Sequence, residues 1–362
     1  MSKKIICTVT NDLVYDQRMQ RICTSLQGNS FSVELVGRTL ERSVTLPRST
    51  FKQTRLTCYF NKGFLFYAEY NIRLFIFLLF NSFDIVCGCD LDTLPAAVLA
   101  AKIKRKKVVY DAHEYFPESP ELIGKPKKQA FWLLLEKILI PRVDAMYTVT
   151  ASIAKIFVKK YNVDAKLIRN LPMKDKVKLN NNKQAILLYQ GAVNIGRGIN
   201  EMLLAMLKIE NASFWIAGDG DEMQHVQHSV KELQLENKVK LLGKKLPTDL
   251  QKITQQSFIG INLLENRGLS YYYSLGNKTF DYIQAGVPQI MIGFPEYIAL
   301  NKQYNIGVLV DEMTVEHIVN AIQILLNDKV LYRKLQENCM QARKELCWQN
   351  EEMKLLTIYN SL

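Results

Sequence analysis

The chain has 362 residues, 48% of them apolar and 23% charged, proportions of a folded globular protein that exclude a disordered or fibrous class. It is longer than one hydrophobic core supports, because single cores stop growing near ~250–300 residues, so two domains are expected. The net charge of +12 is lopsided, with 26 Lys and Arg against 15 Asp and Glu in residues 1–170, which points to a polyanionic partner for the first half or, alternatively, to a merely solubilising surface.

In chain order, residues 4–10, 32–38, 84–89, 107–113 and 145–150 read as buried strands, and residues 16–27, 64–81, 93–104 and 127–140 as helices between them. Strand and helix in alternation imply a parallel sheet covered by helices on both faces, a Rossmann-like domain over 1–172. Residues 64–83 are apolar and aromatic for about twenty positions, but Glu69 and Arg73 interrupt them. That break argues against a membrane span and for a buried amphipathic helix, with an interfacial membrane helix as the alternative.

Residues 173–183 are polar, carry three consecutive Asn and read as a linker. Strands are then expected over 185–191, 213–218, 238–243, 258–264 and 288–293, and helices over 199–208, 222–235, 248–255, 278–285 and 315–327. This makes 184–340 a second Rossmann-like domain, followed by a segment, 331–362, that is helix-forming throughout and whose last part, 341–362, is expected to pack back toward the first domain. The fold class is α/β: two tandem Rossmann-like domains with parallel sheets facing a central cleft, where open sheets bind ligands.

Seven scattered cysteines in apolar runs read as reduced core residues, and Cys87 and Cys89 have no second pair at zinc spacing, so no metal is expected. The first residues lack the pattern of a signal peptide, and a cytoplasmic protein is expected.

Two stretches carry chemistry. After Tyr189, Gln190 and Gly191, a turn places Gly196 and Gly198 on either side of Arg197 at the start of a helix. Close backbone approach, helix N-H groups and a guanidinium suit a phosphate, although an ordinary turn would look the same. In SLGNKTFDYIQAGVP, Gly276 and Asn277 open a helix, Lys278 adds charge and Asp281 follows on the same face. Phosphate at the helix start and ribose hydroxyls on Asp281 make a reader of nucleotide diphosphates.

These motifs, with TNDLVYDQRM (10–19), YDAHEYFPE (110–118), YQGAVNIGRG (189–198) and IAGDGDEM (216–223), lie in the order found in the GT-B-fold, family 4 glycosyltransferases of bacterial surface-polysaccharide clusters, and the chain resembles that family over nearly its whole length. The resemblance implies transfer of a sugar from a nucleotide-diphosphate sugar to a glycan or lipid-linked acceptor, with retention, no metal and no other cofactor. It makes the first domain acceptor-binding and the second donor-binding. Arg197 matches the residue that holds the donor diphosphate, Asp281 the acid that binds ribose, Lys278 a supplementary diphosphate contact. Gly191, Gly196, Gly218, Gly220, Gly276 and Asn277 fall in donor loops, and Gly243 and Lys244 in the slot that reads the base.

His113 matches the histidine that lines the cleft near the transferred sugar, beside Glu114. Asp12, Asp16 and Arg18 are expected to face the same cleft, with helix capping as the alternative for the two acids. The family's paired-acid motif would place its first acid where Tyr273 stands, and its arginine after the first glycine is Ala192 here. Asp90 and Asp92 are too few acids to suggest Mg²⁺ and read as structural, with Asp92 or Thr93 capping the next helix.

Lys102, Lys104, Arg105, Lys106 and Lys107, together with Lys125, Lys127 and Lys128 before an apolar helix, suit peripheral contact with the anionic inner face of a membrane; the alternative is a solvated helix end. Nucleic acid is not expected as a partner, because no aromatic residues interleave the basic ones. Two other functions fit the same domains: a non-catalytic sugar-nucleotide-binding component of polysaccharide assembly, and a nucleotide-sugar 2-epimerase.

Overall fold

In the computed structural model, which describes residues 2–14, 16–41, 43–174, 177 and 184–362, the alternating apolar runs become two all-parallel sheets, each in its own unit. Most of the expected linker, 175–176 and 178–183, lies outside the described residues.

The first unit comprises residues 1–170 and 351–362. Its chain order is β1 (Lys4–Thr8), α1 (Gln17–Gly28), β2 (Ser32–Arg38), β3 (Lys52–Leu56), α2 (Gly63–Phe80), β4 (Ile85–Cys89), α3 (Leu94–Lys104), β5 (Lys107–Ala112), α4 (Pro126–Leu139), β6 (Ala145–Thr148), α5 (Ala151–Tyr161) and β7 (Ala165–Leu167). The sheet runs β3-β2-β1-β4-β5-β6-β7. Ile5, Ile6, Cys7, Val86 and Cys87 are fully buried, because central parallel strands are covered on both faces and need no polar alternation.

Sequence reading missed the two edge strands, β3, which is polar, and β7, which is three residues long. It also missed α5, whose cap Thr150, at the end of the run expected as a strand over 145–150, accepts from the Ile153 N-H at 3.4 Å. The expectation of a buried helix over 64–81 holds for one stripe only. Phe66, Tyr70, Leu74 and Leu78 of α2 are buried, but Leu65, Ile72, Ile76 and Phe80 are exposed.

The second unit, residues 171–350, continues with β8 (Ile186–Gln190), α6 (Ile199–Met206), β9 (Ser213–Ala217), α7 (Met223–Glu232), β10 (Val239–Leu241), α8 (Pro247–Gln256), β11 (Ile259–Asn262), α9 (Leu269–Tyr272), α10 (Asn277–Ala285), β12 (Gln289–Ile292), α11 (Pro295–Tyr304), β13 (Gly307–Val310), α12 (Val315–Asn327) and α13 (Lys329–Glu345). Its sheet runs β10-β9-β8-β11-β12-β13. Leu187, Leu203, Phe214, Ile216, Ile259 and Ile322 are fully buried between β-sheet and helices.

The segment over 331–362, expected to be helix-forming throughout, forms two helices. α13 ends where the Gln284 amide donates to the carbonyls of Arg343, at 3.2 Å, and Leu346, at 2.8 Å, and a new helix, α14 (Trp348–Asn360), begins. The last residues of α14 belong to the first unit: Glu351 accepts the Arg169 N-H at 2.6 Å, and the Tyr359 ring meets Phe31 and Tyr147 there.

Candidate functional site

In the second sheet the chain leaves β8 toward β9 and leaves β11 toward β12, so the topology switches direction between β8 and β11 and opens a crevice at their carboxyl ends. The loop after β8 fills one wall. Its Gly196 carbonyl accepts the Glu265 N-H at 2.9 Å, which ties it to the loop after β11. Gly196 (φ 79°) and Gly198 (φ 68°) both have left-handed backbones, and a Cβ on Gly198 would sit 2.6 Å from the Leu263 Cβ. Only glycine fits there, and Arg197 is pinned between the two.

The Arg197 guanidinium carbon lies 4.7 Å from the centre of the Tyr271 ring, and its Nε is buried without a hydrogen-bond partner. Lys278, in the first turn of α10, has its ammonium 3.8 Å from the centre of the Tyr189 ring and likewise buried without a partner. Burial, and then the nearby charge of Arg197, holds the Lys278 pKa well below its ordinary value. Neither cation pairs with a carboxylate among the described residues. Two stranded cations at a switch point lack an anion.

Asp281, half-buried one turn after Lys278, is oriented by the Gln190 amide, which donates to it at 2.8 Å while accepting from Thr254 Oγ1 at 2.7 Å. The Gly276 N-H is not offered outward: it donates to the Tyr297 hydroxyl at 3.0 Å, and the Thr279 N-H turns back to the Gly276 carbonyl at 2.9 Å. That leaves the start of α10 to exposed Asn277 and to Lys278.

Gly218 and Gly220 serve the crossing of two loops. A Cβ on Gly218 would lie 1.8 Å from the Gly191 carbonyl oxygen, and one on Gly220 2.3 Å from Asn194 Oδ1. Gly243 and exposed Lys244 follow β10, two strands away from β8. Tyr273 closes α9 half-buried against Tyr272, and the nearest preceding acid, Glu265, pairs with Arg267 at 3.3 Å.

In the first unit the switch point lies between β1 and β4. Charged residues gather there too, but they answer one another. Arg18 is buried, donating to Asp111 from Nη2 at 2.8 Å and Nε at 3.2 Å and to the Ile168 carbonyl at 3.2 Å, so it is not presented to a ligand as expected. Asp16 caps α1, accepting the Met19 N-H at 3.0 Å. Asp12 accepts from Arg55 at 2.7 Å, from Val14 N-H at 3.0 Å and from Ser43. All three expected cleft residues are committed to their own domain.

His113 follows β5, with Nε2 3.1 Å from Asp111 and Nδ1 3.4 Å from Asp90. Burial opposes its charge, but the two carboxylates raise its pKa to about 10, which makes it a cation and not a general base at neutral pH. Asp111 is held down at about 2 by Arg18 and His113 against the cost of burial. Cys89, Asp111 and His113 could offer ligand atoms within 4.8 Å of one another, and both Asp111 oxygens already accept from Arg18. Glu114 is half-buried beside His113. Asp92 accepts from Thr10 at 2.7 Å and does not cap α3. Asn71 of α2 accepts the Ala96 N-H at 3.2 Å and does so instead.

Residues 17–172 match the family model of Glycosyltransferase Family 4, and residues 172–345 that of glycosyl transferases group 1. The chain belongs to the family 4 glycosyltransferases. The glycosyltransferase is 29% identical over 278 residues to a Campylobacter jejuni alpha-1,4-N-acetyl-D-galactosaminyltransferase named for a diNAcBac-PP-undecaprenol-linked GalNAc acceptor, covering 70% of this chain and 68% of that one. Sucrose-phosphate synthase from Thermosynechococcus elongatus superposes with a TM-score of 0.80 at 16% identity, covering 99% of both chains. Anabaena HepE, solved with UDP-glucose, superposes with a TM-score of 0.77 at 13% identity over 99% of this chain and 100% of that one. These solved structures share the GT-B fold of the glycosyltransferase.

Sequence reading of this glycosyltransferase missed Tyr189, Tyr271, Tyr297 and Gln190, which seat Lys278, Arg197, Gly276 and Asp281. The run Tyr271-Tyr272-Tyr273 was the available signal for one of them. Tyr189 and Gln190 looked like ordinary strand residues.

Proposed function

We propose that the enzyme transfers a sugar from a nucleotide-diphosphate sugar to a hydroxyl of a glycan or lipid-linked acceptor, with retention and without a metal, in bacterial surface-polysaccharide synthesis. The observation that carries the reading is the buried, unpartnered ammonium of Lys278 beside Arg197 at the switch point of the second unit. Negative charge grows on the diphosphate as it leaves, and preorganised cations in a dry site stabilise that charge without a metal. Asp281, one helical turn beyond, is placed for ribose hydroxyls. Retention corresponds to attack by the acceptor on the face the nucleotide leaves.

HepE with UDP-glucose supports a uridine nucleotide as donor, and the Campylobacter relative supports an undecaprenyl-type acceptor. Seven free cysteines suit the cytoplasm as the place of action. Family membership favours transfer over the non-catalytic and epimerase alternatives. A thermal-shift panel with UDP, GDP, ADP and CMP, followed by turnover of the matching sugar nucleotides, tests the reading. We expect one nucleoside diphosphate to raise Tm and its sugar to be transferred. Tight diphosphate binding with neither transfer nor hydrolysis of any donor would overturn it.

A further inference from the structure

Gln190 and Thr254 are polar residues set in an apolar layer, only 3% and 2% exposed. Beside them Leu188, Ala217, Tyr282, Ala285 and Val287 form a buried cluster against which Leu250 and Ile253 of α8 pack. An amide and a hydroxyl buried in such a layer cost stability unless each is bonded, so packing alone gives no reason for either.

Their hydrogen bonds can run in one direction only. A carboxylate accepts and does not donate, so the Gln190 amide must present Nε2 to Asp281, as it does at 2.8 Å. Its Oε1 then faces Thr254 Oγ1 at 2.7 Å, where only the hydroxyl can supply the hydrogen. The same hydroxyl lies 2.8 Å from the Leu250 carbonyl, four residues back on its own helix, which competes for that hydrogen. Turned the other way, the amide would set Oε1 against the carboxylate, two acceptors face to face. Thr254 therefore holds the amide in the orientation that Asp281 needs.

The backbone on which Asp281 stands is fixed as well. The neighbouring Tyr282 donates from its hydroxyl to the Leu188 carbonyl at 2.7 Å, two positions before Gln190 on β8. Gly260 of β11 makes room for that ring, since a Cβ there would lie 2.4 Å from Tyr282 Cδ2. Asp281 is thus tied to β8 both through its neighbour and through its own carboxylate. A carboxylate whose rotation is fixed can take two vicinal hydroxyls at once and is left short when one is missing. One that turns freely follows whichever hydroxyl remains.

We infer that Gln190 and Thr254 are positioning residues through which Asp281 distinguishes ribose from 2′-deoxyribose in the donor nucleotide. The inference rests on the proposed nucleotide-sugar reading and adds to it the groups that set sugar selectivity on the nucleotide side. Calorimetric binding of UDP, GDP, ADP and CDP and of their 2′-deoxy forms to the full chain tests it, in wild type, Thr254→Val, Thr254→Ser and Gln190→Leu. Wild type is expected to bind the ribose form of its nucleotide about 10–100-fold more tightly than the deoxy form. Valine matches threonine in shape and lacks only the hydroxyl. Thr254→Val and Gln190→Leu are each expected to bring the ratio within about threefold, while affinity for the deoxy form changes less than about threefold. Thr254→Ser, which keeps the hydroxyl, is expected to keep the ratio. A merely structural role would weaken both forms alike. A wild-type ratio below about threefold, or a ratio left unchanged in Thr254→Val, overturns the inference and leaves the nucleotide reading standing. Binding of none of these nucleotides by wild type would overturn that reading, and the inference with it.

Discussion

The two switch points have similar topology and opposite electrostatics. At the first, Arg18, Asp111, His113 and Asp90 form a closed set in which each charge faces its opposite. At the second, Arg197 and Lys278 lean on tyrosine rings and find no carboxylate among the described residues. A closed set stabilises the fold and has little left for a ligand. Cations buried without a counter-ion cost stability, and an arriving anion offsets that cost. The contrast separates residues that hold the enzyme together from those that hold its substrate, although both kinds are charged and both follow strand ends.

Substitutions should divide along that line. Asp111→Ala leaves Arg18 and His113 buried without their partner, and we expect a loss of about 3–5 kcal/mol in urea unfolding. Nucleotide binding by the protein that remains folded should be unchanged. Arg197→Ala should do the reverse: about 10²–10³-fold lower turnover at saturating donor, with Tm not lowered. Wild-type turnover in that variant would remove the diphosphate role from Arg197.

The pH responses also differ in sign. The folded pKa of His113 is raised from 6.5 to about 10, so its ion pairs stabilise fully below pH 6.5 and fade as pH rises through 10. The Tm gap between wild type and His113→Asn should shrink over that window. Lys278 is held below its ordinary value by burial and by the charge of Arg197, and a bound diphosphate should shift it back upward. Nucleoside diphosphate affinity should therefore fall as pH rises, and fall less in Lys278→Met. The same pH dependence in both proteins would mean that the anion does not reach Lys278. The smallest effect expected is at Asn71, whose side chain caps α3 from another helix. Asn71→Ala should cost about 1 kcal/mol and leave activity alone.

The alternation of apolar runs was enough to read both central sheets, because buried parallel strands and the helices between them leave periodic marks in any sequence. Edge strands β3 and β7 left no such mark, since β3 is polar and β7 is only three residues long. Arg197, Lys278 and Asp281 could be found from spacing, because glycines on both sides of a cation and an acid one helical turn after another cation are local patterns. Whether a charged residue serves the fold or a ligand is not local. Arg18 and Arg197 look alike in sequence, and only the approach of Asp111, 93 residues along the chain from Arg18, neutralises one of them. The outer face of α2 was likewise settled by tertiary packing: its composition suited a buried helix, but the sheet covers one stripe and leaves the other to solvent.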